Sequence, residues 1–144
     1  MPILNYTTKV SVDRSVAEIM KMLAKFGAQA VMVEHDDTGT IVAMSFKILI
    51  DGNSVGFKLP VQWREVLHII NKDKRVPGNK KNDEHAKCVA WRIMKDWVEA
   101  QLAILESNMV KLDQVFLPYA VANDGRTLYE AVKSSNLLGP PAPR

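Results

Sequence analysis

The stretch IVAMSFKILI-DGNS-VGFKL, residues 41–59, decides the fold. Apolar side chains alternate along its first ten residues, and a period of two is typical of a β-strand with one covered face. The tetrapeptide DGNS, residues 51–54, indicates a hairpin turn because Gly and Asn tolerate positive φ. Residues 55–59 then return as a second strand. Five apolar side chains are predicted on one face of the first strand: Val42, Met44, Phe46, Ile48 and Ile50.

Two further strands are predicted before this hairpin. Residues 28–34 hold a run of apolar side chains, which indicates a strand covered on both faces or nearly so. Residues 5–12 alternate in polarity and also predict a strand. Between the two strands an amphipathic helix is predicted that closes at Gly27. Asp13 or Ser15 can cap it, and Glu18, three residues after Ser15, would complete a capping box.

Helices are predicted after the hairpin. Pro60 ends the strand, and residues 61–70 place apolar side chains at helical spacing. Asn82 is a good N-cap for a longer helix, because the acidic residues that follow it favour the positive end of the helix dipole. That helix should run to about Ser107, with an apolar face wide enough to pack on two elements or to pair with another chain. A last short helix is expected over residues 127–134.

The order β-α-β-β-β-α, followed by a long C-terminal helix, predicts an α+β fold. Helices should pack on an antiparallel sheet of about four strands. A chain of 144 residues suits one domain, which we expect over residues 1–135. Residues 136–144 hold three prolines and one glycine, and they predict a tail.

Composition excludes several classes of protein. The single cysteine, Cys88, excludes a disulfide scaffold and any metal site built on several thiolates. No apolar run reaches the roughly 18 residues that a membrane span needs. The start of the chain lacks the charged region and apolar region of an export signal. We therefore expect a cytoplasmic protein that does not enter a membrane.

Sequence motifs of the common enzyme families are absent. The sequence contains no dinucleotide or phosphate-binding fingerprint, nucleophile elbow or zinc-protease helix, and its seven glycines are isolated. This pattern favours a protein that is not an enzyme and uses no cofactor. His35, Asp36 and Asp37 suggest a metal-dependent hydrolase or small-molecule binder as a third hypothesis. Adjacent side chains on an extended chain point to opposite faces, however, and the same residues are typical of a hairpin turn, so no metal site is predicted.

Positive charge is concentrated in one loop. The chain carries 19 Lys and Arg against 16 Asp and Glu, a net charge of +3. Residues 71–81 alone carry five positive side chains against one negative, a net charge of +4. We predict that this basic loop neutralises the phosphates of nucleic acid and does not read bases, although a solvated turn has the same composition. The candidate residues are Lys72, Lys74, Arg75, Lys80 and Lys81, extended by Arg64, Arg92 and Lys95 if the long helix packs beside the loop.

Trp91 is a candidate for contact with a partner. It lies at the edge of the apolar stripe of the long helix, next to Arg92 and Lys95. An exposed aromatic side chain in that setting stacks a base or anchors a partner protein. The alternative function is therefore a protein–protein inhibitor or adaptor that acts on a host defence protein through the apolar face of the long helix. A homodimer through that helix is compatible with either function.

Two resemblances bear on these alternatives. The order of elements over residues 15–70 resembles that of double-stranded RNA-binding domains, which place a lysine cluster at the start of their second helix. Here the basic cluster follows that helix instead. The stretches VAWRIMKDWVEAQ (89–101), QVFLPY (114–119) and TLYE (127–130) resemble small uncharacterised proteins encoded by phages and prophages. That resemblance implies an accessory protein in the host cytoplasm that binds nucleic acid, a nucleoprotein complex or a host protein.

Overall fold

The computed structural model describes residues 2–139, and over that range the protein has the expected α+β architecture. A three-stranded antiparallel sheet packs against helices, and two 3-10 turns lie at Gly78–Lys80 and Leu117–Tyr119. The main elements in chain order are α1 (Val12–Lys25), β1 (Ala30–His35), β2 (Ile41–Ile50), β3 (Asn53–Lys58), α2 (Trp63–Lys72), α3 (Asp83–Glu106), α4 (Leu112–Phe116) and α5 (Leu128–Ser134).

The prediction of a fourth strand over residues 5–12 is wrong. Asn5 has a φ of 66°, a left-handed conformation that interrupts an extended chain. Helix α1 then begins at Val12, and its N-cap is Ser11, whose side chain accepts a hydrogen bond from the backbone N–H of Arg14. The helix therefore begins one turn before the capping box that the sequence suggested at Ser15, and the segment has no neighbouring strand to pair with in the described sheet.

The prediction of a long C-terminal helix is also wrong. The long helix of the fold is α3, with 24 residues, but two shorter helices follow it, and the last one, α5, has only seven. Asn108 takes a φ of 61° just beyond α3 and turns the chain away. Pro118 lies between α4 and α5, where it prevents one continuous helix. No helix within residues 2–139 is long and apolar enough to cross a bilayer.

The core lies between the inner face of the sheet and the helices α1 and α3. Strand β2 is central, and Phe46 of β2 pairs with Val31 of β1 and with Phe57 of β3. Phe116 of α4 packs edge-on against both phenylalanines, with ring centroids 5.6 and 6.1 Å away. Of the five residues predicted on the inner face of β2, three are buried: Met44, Phe46 and Ile48. The described part of the predicted tail, residues 136–139, contains no helix or strand, and the rest of it lies outside the described residues.

Candidate nucleic-acid interface

The basic loop, residues 71–81, begins in the last turn of α2 and leads to α3, and these two helices pack side by side. Val76, in the middle of the loop, is only 3% exposed. It packs with Ile70 of α2 and Val89 of α3 in an apolar cluster separate from the main core. Burial of an apolar side chain at this point fixes the loop to the helix pair, so the loop presents its charges from a defined position.

Four lysines of the basic loop carry uncompensated charge. No carboxylate lies within ion-pair distance of any of them among the residues that the structure describes. Two of the four are exposed and two are half-buried. Clustered charges of one sign raise the local concentration of a polyanionic ligand and accelerate its association. These residues are Lys72, Lys74, Lys80 and Lys81.

Arg75 has a different position from the lysines. Its Nε and Nη2 donate hydrogen bonds to the two carboxylate oxygens of Asp73, each at 2.9 Å. The Arg75 guanidinium lowers the pKa of Asp73 to about 2, so that the carboxyl is ionised at neutral pH. Asp73 also accepts a hydrogen bond from the backbone N–H of Arg75. The pair therefore stabilises the conformation of the loop, and the charge of Arg75 is already neutralised.

The predicted extension of the patch onto α3 is not formed. Nη1 of Arg92 lies 2.8 Å from a carboxylate oxygen of Glu18 on α1. Nζ of Lys95 lies 2.8 Å from a carboxylate oxygen of Glu99, one turn along α3. Both basic side chains are only 15% exposed. Arg92 is neutralised by Glu18 because α1 packs against α3, and Lys95 is neutralised by Glu99 of its own helix. The structure does not bring these two cations together with the basic loop.

Trp91 is a core residue, and the prediction of an exposed aromatic side chain is wrong. Its side chain is 0% exposed, and the indole N–H donates a hydrogen bond of 3.0 Å to the backbone carbonyl of Ile41. The reason is that α1, α2 and the sheet pack against α3 and cover the part of its apolar face that holds Trp91. Toward the C-terminal end of α3, Ala100 and Ile104 stay exposed, so only this shorter part of the face is open to the contact that the protein-inhibitor and homodimer hypotheses require.

The exposed surface of α2 carries two cations, Arg64 and Lys72, and one exposed carboxylate, Glu65. Arg64, His68 and Lys72 follow each other at a spacing of four residues, and all three are exposed. Such residues form a line on one helix face, and a rise of 1.5 Å per residue gives the line a length of about 12 Å. The spacing could have been read from the sequence once the apolar face of α2 was assigned. We call these three residues the α2 line.

His35 is the last residue of β1, and Asp36 and Asp37 lie in the turn between β1 and β2, where the turn interpretation placed them. Oδ1 of Asp36 accepts hydrogen bonds from the hydroxyl and N–H of Thr38 and from the N–H of Thr40. These bonds, led by that from the Thr38 hydroxyl, hold the pKa of Asp36 well below its usual range. The carboxylate oxygens are thus used by the turn and by Lys87, and residues 2–139 contain no group of three or more His, Cys, Asp or Glu that could hold a metal ion.

No protein-family model, curated protein or solved structure matches the chain. The resemblances to double-stranded RNA-binding domains and to phage-encoded proteins therefore stay predictions. The basic loop and the α2 line bring five lysine and arginine side chains to one end and one face of the α2–α3 pair. None of the five has a carboxylate partner in the part of the chain that the structure describes.

Proposed function

We propose that this protein binds nucleic acid, free or within a nucleoprotein complex, through the basic loop and the α2 line. It would act as a non-enzymatic accessory protein of phage type in the host cytoplasm. The observation that carries the proposal is a group of four lysines that have no carboxylate partner within residues 2–139, on a loop that Val76 anchors to the helix pair. An anchored cluster of ammonium groups suits a phosphate backbone, because it meets regularly spaced negative charges without a large loss of loop entropy.

The chemistry of the lysines defines the mode of binding. An ammonium group is a compact point charge that donates hydrogen bonds to phosphate oxygens, and its contact with phosphate releases condensed counterions. Such contacts position the ligand and carry no base information. The ion pair between Arg75 and Asp73 is a positioning device, since it stabilises the loop on which the lysines stand. Binding should therefore depend strongly on salt and weakly on base sequence.

The test is a comparison of two variants with equal loss of charge. In the loop variant, all four lysines named above become glutamine: Lys72→Gln, Lys74→Gln, Lys80→Gln and Lys81→Gln. In the control, four exposed lysines from other parts of the surface are replaced: Lys21→Gln, Lys25→Gln, Lys111→Gln and Lys133→Gln. Binding of labelled single- and double-stranded DNA and RNA is measured by fluorescence anisotropy at ~50 mM salt.

We expect the wild-type protein to bind and the loop variant to lose at least about tenfold in affinity, while the control stays within about threefold. Circular dichroism must show that both variants are folded. The proposal fails if the wild-type protein binds none of the four nucleic acids. It also fails if the two variants weaken binding equally, because net charge and not the loop would then explain the affinity.

A further inference from the structure

The outer face of the sheet is open, and it adjoins the proposed interface. The strand register places side chains of β1, β2 and β3 in cross-strand rows on this face. Met32 is 60% exposed there, which is consistent with a face on which no described helix packs. The two central rows are Ala30, Lys47, Gly56 and Met32, Ser45, Lys58.

Above these rows lies an open hollow of about 610 Å³. Its floor contains residues with short side chains, Ala30, Ser45 and Gly56, so a flat group can approach the strands closely. A Cβ atom added at Gly56 would meet no heavy atom within 4 Å, which shows that the space above this position is free. Val121 and Gly125, which follow α4, form part of the rim.

The charges of this face connect it to the α2 line. Lys47 and Lys58 are exposed diagonal neighbours, which places them about 7–8 Å apart at the backbone. Neither has a carboxylate within ion-pair distance among residues 2–139. Lys58 also lines a second hollow of about 350 Å³ together with Arg64, where the α2 line starts. Glu34 and Asp36 are the acidic residues at this junction, and Asp36 is held by Lys87.

We propose that the nucleic acid is a single strand that crosses the outer face of the sheet and follows the α2 line to the basic loop. This inference rests on the proposed function. Three strands about 4.8 Å apart give a face about 10 Å wide between its outer strands, a width that suits one chain of nucleotides. A single strand can lay unpaired bases against Met32 and the short side chains of the floor by apolar contact, while its phosphates meet Lys47, Lys58 and Arg64. A duplex keeps its bases stacked inside and cannot use such a floor.

Two variants of the sheet face test this path. Gly56→Leu places a side chain in the hollow, and it should fold because φ is not in the left-handed region and the position of the added Cβ atom is free. Lys47→Gln with Lys58→Gln removes the two charges of the face. The matched control is Lys21→Gln with Lys25→Gln on α1, which packs on the opposite face of the sheet. The probes are labelled oligothymidylate of about 20 nucleotides and a duplex of equal length.

We expect the wild-type protein to bind the single strand at least about tenfold more tightly than the duplex. Each sheet variant should lose at least about fivefold in affinity for the single strand, with an unchanged Tm, and the control should lose less than about twofold. If the loop variant loses binding while both sheet variants retain it, the path over the sheet is wrong and the proposed function stands. If the wild-type protein binds neither probe, the path over the sheet is wrong, and the proposed function is wrong as well if none of the four nucleic acids tested above is bound.

Three further results would overturn the inference. Equal or tighter binding of the duplex would exclude a ligand that uses the floor of the hollow. If poly-glutamate binds with the same affinity as oligothymidylate, and if the sheet variants weaken its binding to the same extent, the face would be assigned to an acidic peptide. A dimer in size-exclusion chromatography that Gly56→Leu converts to a monomer would assign it to a second copy of the chain.

Discussion

Replacement of Trp91 by Phe tests the assignment of this residue to the core. Phe keeps an aromatic ring but removes the N–H that donates to the Ile41 carbonyl at 3.0 Å. Loss of a donor to a buried carbonyl costs about 1–3 kcal/mol. The smaller ring leaves a cavity of roughly 40 Å³, which adds about 1 kcal/mol at about 24 cal/mol per Å³. We therefore expect Trp91→Phe to lower the free energy of unfolding by about 2–4 kcal/mol, a large share of the 5–15 kcal/mol that is typical of a domain.

The assay is urea unfolding followed by circular dichroism at equilibrium, where a lower midpoint at constant slope reports a change in stability. Trp63→Phe is the control, since Trp63 is half-buried and its ring contacts Arg64 and Lys87 at the surface. The control should lose less than about 1 kcal/mol. A loss below about 0.5 kcal/mol for Trp91→Phe would refute the reasoning. Weaker nucleic-acid or protein binding at unchanged stability would instead restore Trp91 as a contact residue.

Three other predictions concern single side chains. NMR titration of Asp73 should give a midpoint near pH 2, because Arg75 lowers the pKa of this carboxyl. The stability that the pair contributes is therefore present above about pH 4 and is lost as the pH falls through about 2. A midpoint near pH 4 would show that the pair does not form in solution. Asp36→Ala should lower the Tm by a few degrees, since the turn loses the hydrogen bonds that Asp36 accepts from Thr38 and Thr40. If a divalent metal raises the Tm of the wild-type protein but not that of Asp36→Ala, the metal hypothesis is restored. Phe116→Ala should lower the free energy of unfolding by about 3–5 kcal/mol, because the Phe116 ring is fully buried against two core phenylalanines. The control Leu117→Ala changes an exposed side chain and should have little effect in the same urea assay.

The fold was predictable where one local pattern determines the structure. The alternation along residues 41–50 and the turn after them define β2 and β3 because the buried face of a strand repeats every two residues. The alternation over residues 5–12 has the same appearance but no strand beside it, and a strand forms only when a partner accepts its hydrogen bonds. The left-handed Asn5 and the N-cap at Ser11 then decide the local structure.

The candidate site was predictable to the extent that it depends on charge within one segment. The excess of lysine in the basic loop is visible in the sequence, and so is the i, i+4, i+8 spacing of the α2 line. The pair between Lys95 and Glu99 could also have been predicted, because the two residues lie four apart on one helix. The pair between Arg92 and Glu18 could not, because it forms only when α1 packs against α3.

The open face of the sheet was predictable along β2, where the alternation leaves Ser45 and Lys47 off the apolar face. The expectation that residues 28–34 are covered on both faces or nearly so is wrong, because one face of β1 is open and Met32 is 60% exposed there.

The salt dependence of binding tests the assignment of the interface most directly. The dissociation constant of oligothymidylate is measured between ~50 and ~200 mM salt for the wild-type protein and for Lys74→Gln, whose lysine is exposed in the basic loop. Four loop lysines, two sheet lysines and Arg64 give seven phosphate contacts and a predicted slope of about −5 in the logarithmic plot of affinity against salt. Loss of Lys74 should make that slope shallower by about 0.7. A slope near zero, or one that Lys74→Gln leaves unchanged, would contradict the proposed interface.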